Sequence, residues 1–185
     1  MAKNLEFKAK LKSLNALYPR LAALKATRRE TVNQTDTYFH VMKVTKASHV
    51  SGSETCTPRF KLREVQGMSE GWLIYYERPN EDGSRYSDYQ LCEVADPGSL
   101  KNLLTIALGI KTVVKKQREI WMFNHTRIHL DTVTDLGHFI ELETVFQGQT
   151  ETEAITEHQL VKTALGLECT DPIAVSYSDL IIQKP

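Results

Sequence analysis

Residues 126–143 read Thr126-Arg127-Ile128-His129-Leu130-Asp131-Thr132-Val133, then Thr134-Asp135-Leu136-Gly137, then His138-Phe139-Ile140-Glu141-Leu142-Glu143. Both outer runs alternate apolar and polar side chains, the period of a β-strand with two chemically different faces. Asp135-Leu136-Gly137 supplies the turn between them. One face of this hairpin carries Ile128, Leu130, Ile140 and Leu142. The other carries Arg127, His129 and Asp131 on the first strand, and Glu141 and Glu143 on the second.

The same period extends outward in both directions. Toward the N-terminus it predicts strands over 111–123, 84–93, 71–78, 58–65 and 30–41, and a first strand in which Leu5, Phe7, Ala9 and Leu11 alternate with Glu6, Lys8 and Lys10. Ser13 opens a predicted helix through Leu14, Leu17, Leu21 and Leu24, and Asp96-Pro97 opens another through Leu108, ended by Gly109. Toward the C-terminus, residues 150–165 read as a helix with Gly166 as its cap, and a tail over 175–182 pairs or packs at the end. Residues 42–57 hold Ser, Thr, Gly and Lys with little apolar content and read as a surface loop. Neither an internal repeat nor a linker interrupts the pattern. The expected fold is α+β, with about eight mainly antiparallel strands and a few helices.

Lys and Arg number 23 among 185 residues, and Asp and Glu also 23. Zero net charge excludes a globally cationic nucleic-acid binder, although charge can still be segregated locally. Three cysteines, Cys56, Cys92 and Cys169, have no metal-ligand spacing and read as free thiols. Neither a signal-peptide pattern nor an apolar run of about 20 residues is present, so a cytoplasmic location without membrane contact is expected.

The polar strand faces are segregated in kind. Arg59, Lys61 and Arg63 share one face, Lys116 and Arg118 another, while Glu141 and Glu143 are purely acidic. Like charges two residues apart repel, so three cations in a row point to an anion that all of them approach. Paired carboxylates suit a hard divalent cation, Mg²⁺ or Mn²⁺. Curling the polar faces inward yields a closed barrel or tunnel with helices outside, net-cationic within and net-acidic without. His129 reads as a hydrogen-bonded tunnel or core residue. Trp72 and Trp121 read as core aromatics, or as rings available for stacking at a tunnel mouth.

Several segments resemble the CYTH family of triphosphate tunnel metalloenzymes. Asn4-Leu5-Glu6-Phe7-Lys8 is similar to its ExExK strand, Gln34-Thr35-Asp36-Thr37-Tyr38-Phe39 to QxDxYF, and Arg59-Phe60-Lys61-Leu62-Arg63-Glu64 to RLKLRE. Leu73 to Pro79 resembles LxYxRP, Ser84 to Tyr89 the RSEY-type strand, and Lys116-Gln117-Arg118 KxR. Asp131 to Glu143 resembles DxVxxLGxFxExE without a gap, and Ser176 to Leu180 the closing SYxDL.

The resemblance implies a single tunnel domain over 1–185 that binds a small triphosphate with Mg²⁺ or Mn²⁺. Position by position, it implies metal ligation by Glu6, Glu141 and Glu143. It implies phosphate binding by Lys8, Arg59, Lys61, Arg63, Arg78, Arg85, Lys116, Arg118 and Arg127. Catalytic roles fall to Glu6, Lys8, Lys116 and Asp131. Asn4 replaces the first Glu of ExExK, which weakens a second metal position, and the connection at about 42–58 is longer than expected. The implied activity is hydrolysis of tripolyphosphate or of an organic triphosphate such as thiamine triphosphate. The alternatives are a class IV adenylyl cyclase and a non-catalytic polyphosphate binder, in each case a monomer or homodimer that does not wrap a nucleic-acid duplex.

Overall fold

Strands with two different faces can bury both only if the sheet closes on itself and its outer surface is covered. The computed structural model describes residues 2–41, 56–79 and 83–184, and it shows that closure. Its strands are β1 (Ala2–Leu11), β2 (Thr27–Phe39), β3 (Cys56–Val65), β4 (Gly71–Pro79), β5 (Arg85–Val94), β6 (Ile110–Phe123), β7 (Thr126–Val133) and β8 (Gly137–Val145). They run antiparallel in the order β1-β5-β4-β3-β2-β6-β7-β8, and β1 pairs with β8 to complete an eight-stranded barrel. In that ring β3 lies across from β8, and β4 across from β7. The side chain of Arg78 and most of the 42–58 connection lie outside the described residues.

The main apolar core sits outside the barrel wall. Phe7, Ile128, Leu130, Ile140 and Leu142 pack against Leu17, Leu21, Val161, Leu165 and Leu167. These partners come from the segment around α1 (Tyr18–Ala23) and from α3 (Glu151–Ala164) with the turn after it. A second cluster of Val114, Val133, Phe139 and Tyr177 closes one end of the barrel beneath α4 (Tyr177–Ile182). The strand register thus directs apolar side chains to the helices and leaves the alternate residues for the interior.

Two local departures from the sequence reading stand out. The helix expected from Leu14 divides into a 3₁₀ turn over Asn15–Leu17 and then α1, because Pro19 lacks an N–H and is accommodated only in a first helical turn. Leu14, not the expected Ser13, is the N-cap of the 3₁₀ turn, and neither element has a side-chain cap; Ser13 Oγ only accepts locally from Asn15 N at 3.2 Å. Strand β2 begins earlier and ends sooner than the expected 30–41, with a register shift between Arg28 and Glu30. The tail over 175–182, expected to pair or pack, packs as α4, opened by the reciprocal capping box of Ser176 and Asp179. Helix α2 (Pro97–Leu108) appears where expected, capped by Asp96, but Leu103 and Ile106 on it are exposed.

Gly166, at φ +65°, ends α3 where Arg20 Nη1 donates to Leu165 O at 2.5 Å. A Cβ there would meet only the end of the Arg20 side chain, which can shift, so it is the left-handed backbone conformation that favours glycine.

An inside-out barrel places its stability in outward-facing apolar residues. Leu142→Ala, at a fully buried position, is expected to lower unfolding free energy by about 2–5 kcal/mol in urea titrations. Ile106→Ala, on exposed α2, is expected to change it by less than about 0.5 kcal/mol. Equal effects would contradict the placement of the core.

Candidate functional site

Inward-facing residues from every strand surround a cavity of about 310 Å³. Its cationic lining is Lys8, Lys61, Arg63, Lys116, Arg118 and Arg127, and its acidic lining is Glu6, Asp36, Glu141 and Glu143. The cationic strand β3 therefore faces the carboxylate strand β8 across the interior.

Asp36 of β2 organises the first cluster. Its carboxylate, 1% exposed, accepts from Lys61 Nζ at 2.9 Å, Lys116 Nζ at 2.8 Å, and Arg63 Nε and Nη2 at 2.7 and 2.9 Å. Burial alone would raise the Asp36 pKa, but Arg63, Lys116 and Lys61 outweigh it and hold the carboxyl well below its ordinary value. The same crowding acts oppositely on Lys61. Burial and the neighbouring Arg63 push its pKa down to about 7, and Asp36 only partly offsets them.

The second cluster spans β1, β6, β7 and β8. Lys8 Nζ lies 2.7 Å from Glu141 Oε1, and Arg118 Nη2 donates to Glu141 Oε2. Arg118 also grips Asp131 with two hydrogen bonds, at 2.7 and 2.6 Å. Asp131 has no exposed surface and accepts a further bond from Tyr177 Oη at 2.8 Å. Tyr177 places its ring 4.0 Å from Lys8 Nζ. Glu143 pairs with Arg127 at 2.9 Å.

One group of donors could hold a divalent metal ion. Oxygens of Glu141 and Glu143 and a ring nitrogen of His129 all lie within 4.8 Å of one another. Burial opposes ionisation of both glutamates. Lys8 and Arg118 overcome it at Glu141, and His129 and Arg127 do so at Glu143, whose pKa falls to about 2. His129 is shifted down to about 4 by burial and Arg118, so its ring is neutral near pH 7. Its Nδ1 has no hydrogen-bond partner among the described residues. Two ionised carboxylates and a neutral imidazole make a chemically consistent donor set.

Other expected site residues are placed differently. Glu6 stands beside Glu143 in the β1–β8 register. Asn4 is buried, and its surroundings orient the amide NH₂ toward Ser87 O at 3.2 Å and Glu6 Oε1 at 3.3 Å. Asn4 thus offers a donor where a second glutamate would offer an acceptor. Arg59 and Arg85 are buried but do not line the cavity. Arg59 pairs with Asp179 of α4 at 2.8 Å, and Arg85 donates to Ile173 O at 3.1 Å.

Asp36, Asp179 and Tyr177 stand in the quoted motifs, yet sequence reasoning gave them no role. Period-2 counting puts Asp36 between Gln34 and Tyr38 on one face, but only the strand order reveals that three cations converge on it. Trp121 packs outside, its ring 6.3 Å from Tyr18, whereas Trp72 reaches the interior mouth.

A family model described as the CYTH domain matches residues 2–177. The chain belongs to the CYTH family. No curated protein matches it. The chain is similar in fold to the PH1012 protein of Pyrococcus horikoshii OT3, with a TM-score of 0.75 at 20% identity over 96% of this chain and 98% of that one. A candidate adenylate cyclase from Vibrio parahaemolyticus gives 0.70 at 18% identity, covering 98% and 99%. A candidate adenylyl cyclase from Hippeastrum, described as revealing a dominant triphosphatase activity, gives 0.59 at 16%, covering 97% and 94%. No helix among the described residues of this CYTH chain is long and apolar enough to cross a membrane.

Below about pH 7 Lys61 keeps its proton and adds positive charge to the cavity; above that pH the charge is lost. An anion held by Lys61 therefore binds less tightly as pH rises. Metal-free titrations with tripolyphosphate are expected to show affinity falling more steeply above pH 7 than in Lys61→Arg, by up to about tenfold per pH unit. Parallel profiles in the two proteins would refute titration of Lys61 in this range.

Proposed function

We propose that the chain is a divalent-metal-dependent triphosphatase, hydrolysing a small triphosphate inside the barrel in the cytoplasm. The observation that carries this reading is the opposition of β3 and β8. A strand of cations faces a strand of carboxylates across a cavity, with counter-charges already oriented. Lys61, Arg63 and Lys116 are held by Asp36, and Arg118 by Asp131, in geometries fixed before any anion arrives. Donors oriented in advance stabilise the charge that develops on phosphate oxygens without reorganising during reaction.

Glu141 and Glu143 would hold Mg²⁺ or Mn²⁺, with His129 and Glu6 beside them. When bound, such an ion neutralises phosphate charge and polarises the phosphorus–oxygen bond. This chain's residues bind and orient the polyanion. Lys8 and Arg118, which share Glu141 at the cavity wall, would bind the phosphates from the positions they hold. Asp131 keeps Arg118 in place and is a positioning residue. In hydrolysis, water oxygen bonds to phosphorus, the bridging P–O bond breaks with its electron pair going to the leaving phosphate, and the proton lost by the water passes to a phosphate oxygen or to solvent. The Hippeastrum relative's described preference for triphosphatase activity supports the same preference here.

Incubation with Mg²⁺ or Mn²⁺ and tripolyphosphate, thiamine triphosphate or ATP is expected to release phosphate. Cyclic AMP with pyrophosphate would instead establish a cyclase, and tight binding without turnover under either metal would contradict both enzyme readings. Glu143→Gln is expected to weaken Mn²⁺ binding in calorimetric titration and to lower kcat/KM by about 10²–10³-fold. Unchanged metal affinity would overturn the ligand assignment.

A further inference from the structure

Outside the barrel wall, beneath α3, lies a buried histidine that the chemistry above does not use. His158 is 2% exposed, and both of its ring nitrogens have hydroxyl partners. Nδ1 lies 2.9 Å from Thr144 Oγ1, and Nε2 lies 3.0 Å from Ser84 Oγ. Thr144 Oγ1 in turn lies 2.8 Å from Thr126 Oγ1, which donates to Glu157 Oε1 at 2.6 Å. Neither threonine has exposed surface. An ionised carboxylate only accepts, and a hydroxyl carries one proton, so this chain has a single direction. Thr126 donates to Glu157, Thr144 to Thr126, and His158 Nδ1–H to Thr144. Burial and Lys162 push the His158 pKa down to about 4, so the ring is neutral near pH 7 and Nε2 accepts from Ser84.

The chain lies directly behind a row of charges. Adjacent residues of a strand point to opposite faces. Thr126 and Thr144 stand next to Arg127 and Glu143, and Ser84 stands next to Arg85 at the start of β5. The strand register aligns Arg127 with Glu143, Glu143 with Glu6, and Glu6 with Arg85. One row of charges thus crosses β7, β8, β1 and β5 on the inner side, while the hydroxyl–imidazole chain spans the same strands on the outer side. The ladder between β1 and β5 has only five positions, against eight between β1 and β8, and Glu6–Arg85 is its last rung. At that end of the seam His158 joins β8 to β5, the two strands that flank β1.

Resting on the metal-dependent reading above, we infer that His158 is a positioning residue for the metal site. With Ser84 and Thr144 it straps the β5–β1–β8 seam and so fixes Glu6 beside Glu143 for the divalent cation. The strap touches neither metal nor phosphate and acts only through the strands it joins. Its single direction gives each hydroxyl one partner to donate to, which leaves the seam one arrangement.

The test measures Mn²⁺ affinity by calorimetric titration in the full chain, in Ser84→Ala, His158→Phe and Glu6→Gln, and in Glu6→Gln combined with Ser84→Ala. Ser84 is exposed, so its hydroxyl can be removed without opening a cavity. Ser84→Ala is expected to weaken Mn²⁺ binding about three- to tenfold, and His158→Phe at least as much. Once Glu6 is replaced, Ser84→Ala is expected to cost less than about twofold, because the strap acts through Glu6. Affinity unchanged in both strap variants, or the same loss with and without Glu6, would overturn the inference. If the full chain binds no Mn²⁺, the metal reading falls, and amide hydrogen exchange in the metal-free protein decides the strap alone. Faster exchange over residues 2–6 in Ser84→Ala and His158→Phe, with residues 59–64 unchanged, upholds it; exchange unaltered over residues 2–6 refutes it.

Discussion

A charged interior cannot be left uncompensated, and the Asp36 carboxylate is where this barrel meets that constraint. Three cations from two strands converge on one buried acid. Deleting one member of a buried ion cluster typically costs about 3–5 kcal/mol, because the remaining charges lose both water and partner. The same cluster cannot be justified by stability alone, since apolar residues of similar volume would pack at less desolvation cost. Its geometry is better understood as a site held ready for an anion. Lys61, Arg63 and Lys116 are kept together against their own repulsion, with Asp36 supplying enough negative charge to fold the chain and too little to neutralise all three.

The remaining architecture follows from that choice. Because polar side chains point inward, the apolar core is displaced to the outer wall, where α1 and α3 cover β1, β7 and β8. One end is closed from the C-terminal side, where Tyr177 reaches both Asp131 and Lys8 and Asp179 receives Arg59. The other end changes from charge to apolar surface around Trp72. Cavity, cover and mouth thus differ in chemistry, although all are built from the same alternating strands.

Much of this was legible in the sequence. Strict alternation around Asp135-Leu136-Gly137 identifies a two-faced hairpin, and the segregation of Arg59, Lys61 and Arg63 from Glu141 and Glu143 anticipates a charged interior. What alternation cannot supply is which strands become neighbours. Asp36 lies 25 residues from Lys61 and 80 from Lys116 in the chain, so their convergence exists only once β2 stands between β3 and β6. The approach of His129 to Glu141 and Glu143 was hidden for the same reason, because those carboxylates belong to the next strand. Burial of Arg59 and Arg85 away from the cavity depends on the C-terminal segment, whose short helix carries little periodic signal.

The central claim is that the barrel interior, with its cations held by Asp36 and Asp131 and its carboxylates on β8, is a site built for phosphate and metal. Crystals grown with tripolyphosphate and Mn²⁺ test it most directly through the manganese anomalous signal and the phosphate density. The expected result is a manganese peak bonded to Glu141 and Glu143, with the phosphate chain against Lys61, Arg63, Lys116 and Arg118. Manganese bound elsewhere, or phosphate density outside the barrel, would contradict the account.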